Sequence, residues 1–191
     1  MADKVNNGGR GGNPWLTAAW TTATVIILAT PLIAMQFTDE VNWTVSDLVF
    51  AGAMLLGAGV TYELAARVGN FAYQAGVVVA LGAGVLTLWV TGAVGIIGSE
   101  NNPGNQLYLA VVALAIFGAI VVGGRAAGMV WAMSLAALAT VLAPVTAYFA
   151  GIADPRSDVL APEVYGATAF FTAGWLLSAR LFWEAARRGK A

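Results

Sequence analysis

The side chains that could do chemistry in this sequence are carboxylates and amides, because the chain contains no histidine and no cysteine. They gather in three polar stretches between apolar runs, at 36–47, 98–106 and 152–163. Oxygen-rich stretches of this kind suit hard cations such as Ca²⁺. The candidate ligands in them are Asp39, Glu40, Glu100, Asn102 and Asn105. No stretch has EF-hand spacing, so we favour helix capping, turn formation and solvation as the interpretation over a cation site.

Glu63 is a second candidate, because it is the one acid well inside a predicted membrane helix. An ionisable residue within a membrane span is a functional hypothesis by default. Arg67 follows one helical turn later, and both residues lie near the predicted inner end of their helix. We therefore interpret them as an interfacial ion pair, which stabilises a helix by about 0.2–0.5 kcal/mol.

Enzymatic groups are missing from the sequence. Without histidine or cysteine the chain has neither the usual proton shuttle nor a thiol nucleophile. Its two lysines lie at the chain ends, outside every predicted span, and the chain has neither a P-loop nor a dinucleotide fingerprint. We predict no catalytic activity, no cofactor and no resident metal. The net charge of −1 also argues against a nucleic-acid partner.

The charged residues divide the chain into apolar runs long enough for membrane helices. Charged residues make up 10% of the chain and hydrophobic residues 59%, and the mean hydropathy is +0.77. A helix needs about 20 predominantly apolar residues to cross the hydrocarbon core. The sequence therefore predicts an all-α integral membrane bundle of six transmembrane helices, at 15–36, 47–66, 72–98, 104–123, 127–151 and 163–184.

The basic residues predict the orientation of these helices. Arg156 alone falls on one side of the membrane, and every other Lys and Arg shares the side of the two termini. Because an excess of Lys and Arg marks the cytoplasmic side, both termini are predicted to be cytoplasmic. The chain then divides into a flexible cytoplasmic N-terminus, a six-helix transmembrane domain and a basic cytoplasmic tail, at 1–13, 14–185 and 186–191.

Local signals predict where helices start and where they pack. Asn102 is suited to cap the fourth helix, and Pro103 to occupy its first position. Ser46 followed by Asp47 favours a start of the second helix at that point. Tryptophans remote from the predicted membrane surfaces are expected between helices, namely Trp20, Trp89 and Trp175. Small residues four apart allow close helix packing and are found at Ala53 with Gly57 and at Gly174 with Ser178.

Three stretches resemble a group of small, uncharacterised multi-pass inner-membrane proteins of bacteria. They are MQFTDEVNWTVSDLVFAG, NFAYQAG and, most distinctively, AVGIIGSENNPGNQLY, with its VGIIGSE-N-NP-N-type outer-loop motif. The resemblance covers roughly residues 35–140. It implies a bacterial inner-membrane location, and it brings no activity, cofactor or ligand with it.

We therefore expect a non-enzymatic integral inner-membrane protein, an accessory or structural component of a membrane assembly. Its expected partners are the lipid bilayer and other membrane proteins or further copies of itself. The alternative is a small transporter or channel for an ion or a hydrophobic small molecule. The absence of paired charges at the predicted bilayer midplane, where transporter sites usually lie, argues against that alternative.

Overall fold

The computed structural model describes residues 14–68, 70–154 and 158–189, and in these ranges it contains helices and no strand. The helices are α1 (Pro14–Ala34), α2 (Val45–Ala66), α3 (Phe71–Ala93), α4 (Gln106–Val121), α5 (Ala126–Phe149) and α6 (Pro162–Arg188). A 3₁₀ turn at Pro103–Asn105 leads into α4. The predicted N-terminal segment 1–13 and the end of the predicted tail, 190–191, lie outside the described residues.

Five helical segments are long and apolar enough to cross a membrane. They are Pro14–Ala34, Val45–Ala66, Phe71–Ala93, Pro103–Val121 and Ala126–Phe149. The all-helical architecture and five membrane-compatible helices are therefore confirmed. The last helix, α6, has 27 residues but is more polar than the others, and its crossing of the membrane stays a prediction. It also continues to Arg188, beyond its predicted end at 184, so residues 186–188 of the predicted tail are helical.

The chain divides into two compact units, Met1–Gly69 and Asn70–Ala191. In the first unit, α1 packs against α2, and Gly59 lies directly against Trp20, whose indole an added Cβ would overlap. The predicted Ala53–Gly57 packing site is wrong in part, because a Cβ added at Gly57 would meet no atom within 4 Å. The small residue that packs lies half a turn further along α2.

The start of α2 is set two residues earlier than predicted. Thr44, not Ser46, is the N-cap. Its hydroxyl accepts a hydrogen bond from the backbone N–H of Asp47 at 3.3 Å, and its own N–H donates to the Asp47 carboxylate at 2.7 Å. This reciprocal capping box satisfies two backbone donors at once, which neither Ser46 nor Asp47 could do alone.

In the second unit, α6 is the central helix and packs against α3 and α5. Its buried residues fall on one helix face, as expected from their helical spacing, and are Val164, Phe171, Trp175, Ser178, Ala179, Phe182 and Ala185. Large α6 side chains meet small α3 residues: a Cβ added at Gly76 would lie 3.3 Å from the Phe182 ring. The Ser178 hydroxyl donates to the Gly76 carbonyl at 2.8 Å. Interlocking of this kind allows helices to approach closely where apolar solvent provides no hydrophobic drive.

The end of α3 differs most from the prediction. The helix ends at Ala93 rather than near 98, although the following residues VGII are apolar. Gly95 adopts a φ of +78°, which glycine reaches without steric cost, and its N–H donates to the Val90 carbonyl at 3.0 Å. Ile96 and Ile97 then leave the helix axis and insert into the core beside Tyr108 and Phe171.

Candidate functional site

One buried amide, that of Asn105, organises the polar turn between α3 and α4, which we call the 95–105 loop. Asn105 is only 3% exposed. Its Oδ1 accepts hydrogen bonds from the backbone N–H groups of Ile96 at 2.8 Å and Ile97 at 2.9 Å. Its Nδ2 donates to the Ser99 carbonyl at 2.8 Å. One side chain thus replaces the backbone partners that residues 96–99 lose when the helix stops.

The loop can close around Asn105 only because a glycine precedes it. A Cβ added at Gly95 would lie 2.6 Å from the Ser99 carbonyl group and 2.8 Å from Asn105 Nδ2. A side chain at this position would therefore push the turn open. The positive φ of Gly95 and the close approach of Ser99 are two independent reasons for glycine here.

Asn102 makes the predicted cap and a second contact that the sequence did not indicate. Its Oδ1 accepts from the Gly104 N–H at 2.8 Å, and Pro103 opens the 3₁₀ turn, which confirms the predicted start signal. Its Nδ2 donates to Asp158 Oδ2 at 2.8 Å. The same Asp158 oxygen accepts from the Asp154 N–H at 3.2 Å. Asn102 therefore ties the 95–105 loop to the turn that precedes α6.

The acidic candidates are not brought together into a cation site. Glu100 is exposed and accepts a hydrogen bond only from its neighbour, Asn101 Nδ2, at 3.0 Å in the described structure. Asp39 and Glu40 are exposed and belong to the first unit. Within residues 14–68, 70–154 and 158–189, no group of three or more acids is placed to hold a metal ion. The loop side chains Asn102 and Asn105 bond backbone groups and, at Asn102, the Asp158 carboxylate.

Glu63 lies one turn before the end of α2, between an indole and a guanidinium. Trp20 Nε1 donates to Glu63 Oε2 at 3.3 Å, and Arg67 Nη2 lies 3.7 Å from Glu63 Oε1. The Glu63 side chain is 17% exposed and that of Arg67 is 51% exposed. The predicted ion pair with Arg67 is therefore present. The contact with Trp20 was not predicted, because no sequence pattern relates two residues on separate helices.

The Trp20 contact gives Glu63 a packing role. Gly59 lies one turn before Glu63 on α2, so the indole covers Gly59 while its N–H reaches the carboxylate. Trp20 was predicted to lie between helices, and it does. The arrangement holds α1 against α2.

No known protein-family model, no curated protein and no solved structure matches the chain. The resemblance carried by the VGIIGSE-N-NP-N motif is therefore untested and stays a prediction. What the structure adds to that motif is a physical role for its residues: Gly95 turns the chain, Asn105 binds the turn, and Asn102 caps the next helix.

Proposed function

We propose that this chain is a non-enzymatic integral protein of the bacterial inner membrane and serves as an accessory or structural component of a membrane assembly. The distribution of apolar side chains supports this proposal most directly. The interiors of the helix contacts are lined by small residues and a few aromatic rings, whereas many large apolar side chains point outward. Lipid tails or other membrane helices can cover such a surface, whereas its exposure to water is unfavourable.

The proposed topology has six crossings, with α6 as the sixth. At about 1.5 Å per residue, its 27 residues extend about 40 Å, more than the hydrocarbon thickness of about 30 Å. It packs along α3 from Gly84 at Trp175 to Gly76 at Phe182. Arg180, its deepest cation, is 75% exposed and pairs with Glu184 at 3.4 Å, so its charge can extend toward the nearby membrane surface.

Six crossings place both termini on one side, and the bias of basic residues makes that side the cytoplasm. Reporter fusions after Ala191 and within 98–106 test this topology. We expect a cytoplasmic signal from the first fusion and an extracytoplasmic signal from the second. The same side for both would contradict six crossings.

A transporter or channel remains the second candidate because three buried polar atoms have no hydrogen-bond partner in the described structure. They are Thr91 Oγ1, Thr172 Oγ1 and Trp175 Nε1. Unpaired donors in an apolar interior are costly, and a polar substrate that passed through the bundle would satisfy them.

Trp175→Phe tests whether the assembly depends on this unpaired indole N–H, because it removes the N–H and keeps an aromatic ring. In a structural protein, the loss of an unpaired buried donor is neutral or stabilising apart from the lost ring volume. We expect the variant to retain the native size of its membrane assembly, measured after extraction in a mild detergent. A parent protein that migrates as a lone monomer in that detergent would contradict the assembly role.

A further inference from the structure

A groove lies between the start of α5 and the end of α6, and its lining combines aromatic rings with a cation. Its volume is about 260 Å³, and its walls are Ala127, Val130, Trp131, Trp183, Ala186 and Arg187. This end of the second unit is remote from the 95–105 loop, because it lies at the opposite ends of α5 and α6 from the turn that joins them. No residue of the candidates described above lines it.

The two tryptophans make an outward-facing aromatic wall. Trp131 is 77% exposed and Trp183 is 49% exposed. Each lies about five residues from the end of its helix, so both backbone positions are about 7–8 Å inside the helix end. Tryptophan is enriched near membrane surfaces, where its apolar ring body meets hydrocarbon and its N–H meets headgroups.

Arg187 is held above this wall by a cation–π contact. Its guanidinium carbon lies 4.6 Å from the centre of the Trp183 ring. A guanidinium that stacks on a ring keeps its N–H donors in the plane of the group, where they remain open to an acceptor. Among the described residues, Arg187 forms no ion pair with a carboxylate. Its fixed orientation and its open donors suit the oxygens of a phosphate.

The charge around the groove favours an anionic occupant. Arg125 precedes α5 by one residue and Arg188 follows Arg187, so both lie at the same end of the second unit. The nearest acid on α6, Glu184, is engaged by Arg180. The uncompensated charge of the described residues at this end is therefore positive. Basic residues near a membrane surface attract anionic lipids, and basic pockets between helices bind their headgroups.

We propose that this groove binds an anionic phospholipid, with the phosphate on Arg187 and the glycerol and upper acyl chain against Trp131 and Trp183. The groove is smaller than the roughly 300–1,000 Å³ of typical small-molecule sites, so it accommodates a headgroup and leaves the acyl chains on the helix surface. The lipid would hold the ends of α5 and α6 together at the membrane surface.

Lipid titration followed by mass spectrometry of the intact protein in detergent tests the proposal. The probes are dioleoyl phosphatidylglycerol and, as the neutral reference, dioleoyl phosphatidylcholine. The parent protein should bind the anionic lipid with a clear preference. Arg187→Gln should reduce its affinity about fivefold, whereas Arg188→Gln, an equal change of charge outside the groove lining, should reduce it by less than about twofold.

Three results would overturn the proposal. Equal losses in Arg187→Gln and Arg188→Gln would indicate diffuse attraction to a basic end. Equal binding of the two lipids by the parent would exclude headgroup recognition. Displacement of the lipid by an excess of inorganic phosphate would indicate a small-anion site.

A second pair of variants tests the aromatic wall without a change of charge. Trp131→Leu should lower the preference for phosphatidylglycerol, and Leu135→Ala, an exposed position one turn further along α5 and outside the groove, should leave it unchanged. Circular dichroism verifies that each variant retains its helices. An unchanged preference in Trp131→Leu would remove the wall from the site and contradict the proposal. The measurement depends on neither the direction of crossing nor the protein partners, so its failure would leave the proposed function standing.

Discussion

Asn105 and Glu63 are both polar side chains among apolar helices, and they differ in charge, in exposure and in the partners they satisfy. Asn105 is neutral and buried, and its three hydrogen bonds all end on backbone groups. Glu63 is charged and partly exposed, and both its partners are side chains. Two of its partners, the N–H groups of Ile96 and Ile97, belong to buried residues. The Arg67 partner of Glu63 is half exposed and can be hydrated instead.

This difference decides which residue the fold depends on. When a hydrogen bond is removed, the loss of folding free energy depends on the partner that stays behind. A partner that is buried and unpaired costs about 1–3 kcal/mol, whereas an exposed partner can bond water and costs little. An ion pair on a helix surface contributes only about 0.3–0.5 kcal/mol. The neutral amide therefore stabilises this protein more than the charged pair does, although an acid in a membrane helix attracts more attention in the sequence.

The largest effect is expected for Asn105→Ala. The change leaves the N–H groups of Ile96 and Ile97 without their acceptor, whereas the Ser99 carbonyl still accepts from the Asn102 N–H. We expect a loss of about 3 kcal/mol in the free energy of unfolding, since two buried donors at about 1–3 kcal/mol each lose their partner. Thermal unfolding in detergent, followed by circular dichroism, measures it. Asn101→Ala is the control, because Asn101 is exposed and bonds only Glu100 in the described structure; an equal loss there would refute the role of Asn105.

A smaller effect, in the first unit, is expected for Gly59→Ala. The added methyl group would overlap the Trp20 indole and move it away from the Glu63 carboxylate. Overpacking costs about 1–3 kcal/mol, and the better helix propensity of alanine offsets up to about 1 kcal/mol of it. Gly57→Ala is the matched control on the same helix, where the methyl group meets open space. Unfolding temperatures that fall in Gly59→Ala and hold or rise in Gly57→Ala would confirm the packing.

The helices were predictable from the sequence because apolar runs and charge placement constrain them directly. The ends of the helices were less predictable, because hydropathy shows which residues are apolar but not where the chain turns. The residues Gly95, Ile96 and Ile97 continue an apolar run, but the positive φ of Gly95 and the Asn105 side chain turn them away from the helix. The position of Trp89 was wrong for a related reason. Trp89 lies far from the ends of its predicted span, which suggested burial between helices, but in the structure its side chain is exposed.

The loop was predictable in part. Asn102 and Pro103 form a local signal, and the cap they predicted is present. Asp158 was missed because it lies 56 residues away and reaches Asn102 only in the folded chain. The sequence makes Asn105 a candidate cation ligand, whereas in the structure it lies at the centre of a turn. Its context, an amide directly before an apolar helix and after a Pro-Gly pair, was the available signal for this role.

Asn102→Ala should have an intermediate effect and distinguishes a structural loop from a cation site. It removes a cap, at about 1 kcal/mol, and a hydrogen bond to Asp158. Glu100→Gln should leave stability unchanged, because Glu100 bonds only its exposed neighbour. Both results should be the same with and without Ca²⁺. A rise in the melting temperature of the parent on addition of Ca²⁺, lost in Glu100→Gln, would instead make the loop a cation site by mass action.

The smallest effect is expected for Glu63→Gln, and it probes the charged half of the comparison directly. Glutamine retains an oxygen that can accept from Trp20 Nε1 and removes the charge that attracts Arg67. The expected loss in the free energy of unfolding is about 0.3–0.5 kcal/mol, the value of an exposed helical ion pair. Glu63→Leu should cost more, because it also leaves the part-buried indole N–H unpaired. A melting temperature that falls by several degrees in Glu63→Gln would show that the charge itself is needed, and Glu63 would then regain its place as the functional candidate.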